Sequence, residues 1–245
     1  MLKMKNNTPK GEQRILLKDR DYRLLRVMTE QQCLSMDQIK RHFFSGASDS
    51  PAYRRIQKLN CFSLVRKLHF QSPTGASIWA PTDLGRSYGM RGCHYTVQSA
   101  AGINQNELLH TLELTECRFL MEEIWSGIFY SESTLSDLRW KHKPDAVFQF
   151  PSNELLPIEL ERSSKGYRKL KEILTIWERT EGIRNVLYVA GSNELERVIL
   201  NTARQEPVSH RVIVTTLEKM SSNDPQGESL GGVLDLKKIG GLRVA

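Results

Sequence analysis

The sequence predicts an α+β protein in two parts. A basic first part consists of helices closed by a β-hairpin, and in the second part helices and strands alternate around a central mixed sheet. Three observations carry this reading. The hydrophobic period switches between helical and strand-like along the chain. Positive charge is concentrated early: residues 1–100 hold seventeen Lys and Arg against seven Asp and Glu, whereas the remainder holds eighteen against twenty-one. Finally, Asp145 is followed fourteen residues later by Glu159-Leu160-Glu161, each set in a β-prone run.

The chain has 245 residues, enough for one large or two small domains. With 39% hydrophobic and 26% charged residues, the composition is that of an ordinary globular protein. No apolar run approaches the roughly 18 residues of a membrane helix, and the N-terminus lacks the apolar core of a secretory signal, so no membrane partner is expected. Cys33, Cys61, Cys93 and Cys117 are widely spaced, with no CxxC pair. They read as reduced thiols of a cytoplasmic protein, not a zinc site or a disulfide framework. A basic first half joined to a near-neutral second half points to a polyanionic partner; the plainer alternative is a solvated basic face.

In the first part, residues 19–31 place Tyr22, Leu24, Leu25, Val27 and Met28 on one helical face, with Asp19 as the expected cap. Ser35 opens a second helix, and Ser35 with Gln38 has the spacing of a capping box. Residues 45–49 form a turn, and Asp49 or Ser50 caps a third helix with Pro51 in its first turn. Ala52, Ile56 and Leu59 are that helix's core side. Two β-prone runs, 64–70 and 76–81, flank the turn signal Gln71-Ser72-Pro73-Thr74-Gly75 and predict a hairpin. Thr82 then caps a short helix.

Helix, helix, basic third helix and hairpin is the order of a winged helix-turn-helix, in which the third helix enters the major groove of double-stranded DNA. The candidate DNA contacts are Tyr53, Arg54, Arg55 and Lys58 on that helix, with Arg66 and Lys67 on the wing. The alternative is a winged helix used for protein contacts. RNA is disfavoured, because there is no interleaved aromatic platform. The predicted domains are a winged helix over 1–92, a linker over 93–106 and an α/β domain over 107–245. Residues 221–229 read as an exposed loop, and the last dozen residues as weakly ordered.

The second part opens with a helix over residues 107–124. A strand is expected to begin within 125–130, and a polar edge segment over 135–140. Strands follow at about 145–150 and 155–161, then a basic amphipathic helix over 165–179 with Leu170, Ile173, Leu174 and Trp177 inward. A buried strand at 185–190, a helix at 193–205 and a strand at 211–216 complete the order, which packs naturally as a mixed sheet between helices. Residues i and i+2 of a strand share a face. If the two acidic runs pair, Asp145, Glu159 and Glu161 therefore converge. Converging carboxylates suit a hard cation, Mg²⁺ or Mn²⁺, which can activate water and stabilise the charge developing on a phosphate. A solvated amphipathic edge strand would also explain Leu160 between two Glu residues.

The order helix, strands, Lys143-Pro144-Asp145-Ala146, Ile158-Glu159-Leu160-Glu161-Arg162-Ser163, then the basic helix containing Lys169-Leu170-Lys171 resembles the PD-(D/E)xK nuclease fold. With Leu109-His110-Thr111-Leu112-Glu113-Leu114 on the first helix, residues 15–215 resemble the replication-relaxation family, and especially the MOBC class of conjugative relaxases. That resemblance implies that Asp145 and Glu159 are metal ligands. It departs at the position two after the second acid, where the usual Lys is Glu161; Glu161 would then be a further ligand, and Lys165 would supply the positive charge. His110 and Tyr167 are weaker candidates, Tyr167 as a nucleophile, and Glu113 and Glu116 could add a first-helix carboxylate. Surface or core placement is the plainer reading of each of these.

The implied function is a metal-dependent, site- and strand-specific DNA nickase, a mobilisation relaxase acting at a plasmid transfer origin. It would act on double-stranded DNA and its nicked strand, with accessory relaxosome proteins and a coupling ATPase as partners. The alternative is a non-catalytic regulator of plasmid replication or transcription with a degenerate nuclease fold. Behind both stands a double-strand endonuclease, which would need two active sites.

Overall fold

The computed structural model describes residues 4–5, 14–46, 49–70, 74–95, 97, 105–135, 140–163, 166–206 and 211–241. The sequence readings at the hairpin tip (71–73), much of the linker, residues 136–139, Lys165 and the last four residues lie outside them. The described residues form a mixed α+β structure with eight α-helices and, in its larger sheet, seven strands. The chain divides into two compact units, Met1–Leu112 and Glu113–Ala245.

In the first unit β1 (Met4–Lys5) and β2 (Arg14–Ile15) pair antiparallel. Then come α1 (Asp19–Glu30), β3 (Leu34–Ser35), α2 (Met36–Phe43), α3 (Asp49–Cys61), β4 (Val65–Leu68), β5 (Ile78–Pro81) and α4 (Asp83–Gly89). The three short strands form an antiparallel sheet in the order β3-β5-β4, with Trp79 opposite both Leu34 and Lys67. Leu24, Leu25, Met28, Ile39, Ile56 and Ile78 are fully buried and form the core.

Local chemistry sets the helix starts. Ser35 Oγ accepts the Gln38 N–H and Gln38 Oε1 accepts the Ser35 N–H, so two otherwise orphaned donors are satisfied. Thr82 Oγ1 likewise accepts the Gly85 N–H. The start of α1 differs from expectation: Asp19 is the first helical residue, and it is Asp21 that reaches back to accept the Lys18 N–H at 2.8 Å. Glycine decides how α4 packs. A Cβ on Gly89 would lie 2.6 Å from the Leu25 carbonyl, and one on Gly85 would lie 1.9 Å from the Leu64 oxygen. Only residues without a side chain allow that approach.

The helix α5 (Gln105–Ile124) contributes residues 105–112 to the first unit and 113–124 to the second. The second unit continues with β6 (Ile128–Ser131), a 3-10 turn (Glu132–Thr134), β7 (Ala146–Gln149), β8 (Leu155–Glu161), α6 (Tyr167–Glu178), β9 (Val186–Ala190), α7 (Asn193–Ala203) and β10 (Val212–Thr216). It ends with α8 (Leu217–Met220), β11 (Gln226–Ser229), β12 (Gly232–Asp235) and a 3-10 turn (Leu236–Gly241). The sheet order is β12-β11-β10-β9-β8-β7-β6. The central β8, β9 and β10 are parallel, joined through α6 and α7, and the strands on either side are antiparallel.

Strand alternation divides the side chains between two cores. Ile158, Leu160, Leu187 and Val189 pack with Leu114, Cys117 and Met121 of α5. Val186, Tyr188 and Ala190 pack with Leu170, Leu174 and Trp177 of α6 and Ile199 of α7. Glu159 and Glu161 alternate with Leu160 and so belong to the α6–α7 face.

The C-terminal reading needs correction. Residues 226–229 are not an exposed loop but a strand on the edge of β10, and the following segment is ordered as β12 and a turn. Leu236 and Ile239 are buried in the α5-side core, and Trp125 Nε1 donates to the Leu236 carbonyl at 2.6 Å. The local Ser, Asn, Asp, Pro and Gly composition favours a loop; pairing to a distant strand supplies the backbone partners that composition does not reveal.

Candidate active site at the carboxyl end of the central strands

The antiparallel register pairs Ala146 with Ile158, so Asp145, one step beyond, stands beside Glu159. The last two acids of β8 and the residue preceding β7 therefore share one end of the sheet. Both Glu residues are buried, Glu159 at 1% and Glu161 at 3% exposure. A buried carboxylate is costly unless paired, and the pairing is specific. Glu159 Oε1 lies 2.8 Å from His142 Nε2 and accepts the Trp177 indole N–H at 3.2 Å. Asp145 Oδ2 accepts the backbone N–H of Leu160 at 2.7 Å, which ties the two strands at the acidic position.

Around this end the electrostatics are crowded. The Cys117 thiol is pushed up by burial first, then by the charges of Glu113, Glu116 and Asp145. The Tyr188 phenol is held well above its ordinary value, first by burial and then by Glu159, Glu161 and Asp145. Tyr188 is the register neighbour of Glu159 on the parallel strand β9. Its side chain therefore rises from the same face, yet its hydroxyl finds no hydrogen-bond partner among the described residues. Leaving a buried hydroxyl unsatisfied costs about 1–3 kcal/mol.

A cleft of about 420 Å³ opens along the carboxyl ends of β8, β9 and β10, and Asp145, Glu159 and Glu161 are not among its walls. Glu113, Leu160, Gly191, Ser192, Asn193 and Thr216 are among its walls. Glu113 is held there by Arg162 at 2.9 Å. The cap of α7, Ser192 Oγ accepting the Leu195 N–H, fixes the cleft's edge.

Carboxylate oxygens are the donors that a hard divalent ion takes. As the side chains stand, however, the three acids share a sheet end and not one ring. Among the described residues no three His, Cys, Asp or Glu side chains are grouped so as to hold an ion. The physical reason is partner choice: Asp145 turns to the Leu160 N–H, while Glu159 turns under α6 to His142 and Trp177.

The remaining sequence candidates are dispersed. Tyr167 is half exposed on the first turn of α6, where its hydroxyl donates to Gln205 Oε1 at 2.9 Å. Tyr167 and Glu161 both line a narrow crevice between α6 and α7. His110 lies partly buried on the stretch of α5 that belongs to the first unit. Sequence reasoning missed His142, Trp177 as a donor, and Tyr188. A signal existed for Trp177, because a buried indole N–H needs an acceptor. For His142 there was only its place three residues before Asp145.

In the first unit, Arg54 and Lys58 on α3 and Arg66 and Lys67 on β4 are exposed, as is Tyr53, which carries the Lys40 ammonium 5.7 Å above its ring. Arg55 is different. It makes a two-pronged pair with the fully buried Asp21, its Nε donating to Oδ1 at 2.8 Å and its Nη2 contacting Oδ2, and it also donates to the Leu16 carbonyl at 2.8 Å. Arg55 thus braces α3 against the start of α1 and does not present a free guanidinium.

No family model matches the chain, and no curated protein or solved structure is similar enough to count as a match. Among the described residues no helix is long and apolar enough to cross a membrane.

Proposed function

We propose that this protein is a metal-dependent, site- and strand-specific DNA nickase of the mobilisation-relaxase type, acting in the cytoplasm at a plasmid transfer origin. The first unit is read as a winged helix that binds double-stranded DNA, and the second as a PD-(D/E)xK-like nuclease domain. The carrying observation is the burial of Glu159 and Glu161 at the carboxyl end of β8, with Asp145 beside them in register. Folding gains little from buried acids at a strand end, whereas carboxylates gathered at one end of a sheet are what cation-assisted phosphate chemistry uses.

Asp145 and Glu159 would hold Mg²⁺ or Mn²⁺, with Glu161 as a further ligand. The bound ion would supply Lewis-acid stabilisation of the phosphate and an activated water. The protein's own groups set the geometry. The Leu160 N–H orients Asp145, while His142 and the Trp177 indole orient Glu159. Arg54, Lys58, Arg66 and Lys67 would meet the phosphate backbone. Arg55 drops out of that set because Asp21 already holds it. Accessory relaxosome proteins and a coupling ATPase are the partners this reading implies.

The test is incubation of the purified protein with supercoiled plasmid carrying its own neighbouring DNA and Mg²⁺ or Mn²⁺. Open-circular product from wild type and none from Asp145→Ala or Glu159→Ala supports the reading; equal nicking by either variant removes it. A second reading, DNA binding without cleavage, draws on the partners that Asp145 and Glu159 already have within the protein. It expects a salt-sensitive gel shift with the plasmid intact under every metal.

A further inference from the structure

We propose that Gln57 is a base-reading residue of α3, its side-chain amide taking an adenine in the major groove of duplex DNA. The inference rests on the reading of the first unit as a DNA-binding winged helix. It deepens that reading by naming a residue that sets specificity and the base it selects, and it needs neither the second unit nor a metal ion.

The buried side of α3 fixes which way the helix faces. Ala52, Ile56 and Leu59 are fully buried, and Arg55 is drawn to Asp21 and the Leu16 carbonyl. A helix turns once in about 3.6 residues, so the line opposite that trio runs between Arg54 and Gln57. Both are exposed. Tyr53 lies to one side of the line, beneath the Lys40 ammonium, and Lys58 to the other. A helix seated in the major groove turns its central line to the base edges and its flanks to the phosphate walls.

The charge around this line suits a duplex. Arg54 and Lys58, with Arg66 and Lys67 on β4, are exposed cations, which phosphates attract whatever the base sequence. Gln57 is uncharged and gains little from a phosphate. Among the described residues its amide makes no hydrogen bond. That amide carries an acceptor oxygen and two N–H donors in one plane, the match for adenine N6 and N7. A Lys or Arg at the same place would select guanine instead.

The test is selection of bound duplexes from a random-sequence library by the full chain, in EDTA so that cleavage plays no part. Wild type is compared with Gln57→Ala. The expected result is one A·T pair in the wild-type consensus that Gln57→Ala no longer prefers, with the other positions kept. By fluorescence anisotropy, wild type should favour that pair over its substitute roughly tenfold, while Gln57→Ala binds both alike. Melting should be unchanged, because the side chain is exposed. Where Gln57→Ala melts below wild type, Gln57→Lys decides instead: a move to G·C at that pair supports the inference, and an unchanged pair overturns it. A Gln57→Ala consensus that is unaltered, or relaxed evenly at every position, overturns the inference and leaves the DNA-binding reading standing. Wild type that selects no sequence, or binds no duplex, overturns both. Failure to nick plasmid bears on the second unit alone.

Discussion

His142 Nε2 stands 2.8 Å from Glu159 Oε1, and the same oxygen accepts the indole N–H of Trp177. The His142 and Trp177 rings meet edge to face with centroids 5.5 Å apart. A loop before β7, the carboxyl-terminal half of β8 and the last turn of α6 are thereby joined at a single buried carboxylate oxygen. Glu159→Ala would leave the indole N–H and the imidazole without their acceptor. It is expected to destabilise the protein by about 1–3 kcal/mol, read as a lower urea midpoint at unchanged slope. Glu159→Gln keeps an acceptor and should lose less.

Asp145 separates structure from chemistry in the same way. Its Oδ2 holds the N–H of the buried Leu160, so Asp145→Ala leaves that N–H without its acceptor and should cost about 1–3 kcal/mol. Asp145→Asn retains an acceptor oxygen and should melt near wild type. On the proposed function both variants lose plasmid nicking. Full activity in Asp145→Asn would show that the charge is not used.

Basic residues of the first unit are expected to fall into two groups. Arg54→Ala, Lys58→Ala, Arg66→Ala and Lys67→Ala should weaken duplex binding with little change in melting. Each substitution that takes a cation away from a phosphate should make the salt slope shallower by roughly 0.9. Arg55→Ala leaves the buried Asp21 carboxylate without its counter-charge, and a destabilisation of about 3–5 kcal/mol is expected. Fluorescence anisotropy at several salt concentrations, paired with thermal melts, separates the two groups.

The α1–α4 packing should be intolerant of a methyl group. Gly89→Ala sets a Cβ against the Leu25 carbonyl, and backbone cannot yield as a flexible side chain can. A destabilisation of about 1–3 kcal/mol is expected, visible as a lower melting temperature.

Thiol accessibility tests the two cores. Burial pushes the Cys33 thiol up to about 12 and raises Cys117 as well, whereas Cys61 is exposed. In the native protein at pH 8 an alkylating reagent should therefore modify Cys61 and spare Cys33 and Cys117, as read by peptide mass spectrometry. Between the ordinary value of 9.0 and about 12 the unfolded chain releases a proton that folded Cys33 keeps. The contribution of Cys33 to stability is thus fully present below pH 9 and is lost as pH rises towards 12. Rapid labelling of Cys33 at pH 8 would contradict its placement.

The elements with strong local chemistry were legible in the chain. The Ser35–Gln38 capping box, the Thr82 cap, the inward face of α6 through Leu170, Ile173, Leu174 and Trp177, and the paired strands β7 and β8 all follow from periodicity and caps that act within a few residues. The period-2 rule also put Glu159 and Glu161 on one face.

Tertiary packing alone decided the rest. It turned Arg55 inward to Asp21, made a strand of residues 226–229, and brought His142 and Tyr188 to the carboxylates. Sequence by itself determined which residues could be helical, extended or acidic at one strand end, because those properties depend on neighbours a few positions away. Which partner each buried charge takes was decided only in the folded structure, because desolvation forces a choice among groups that lie far apart along the chain.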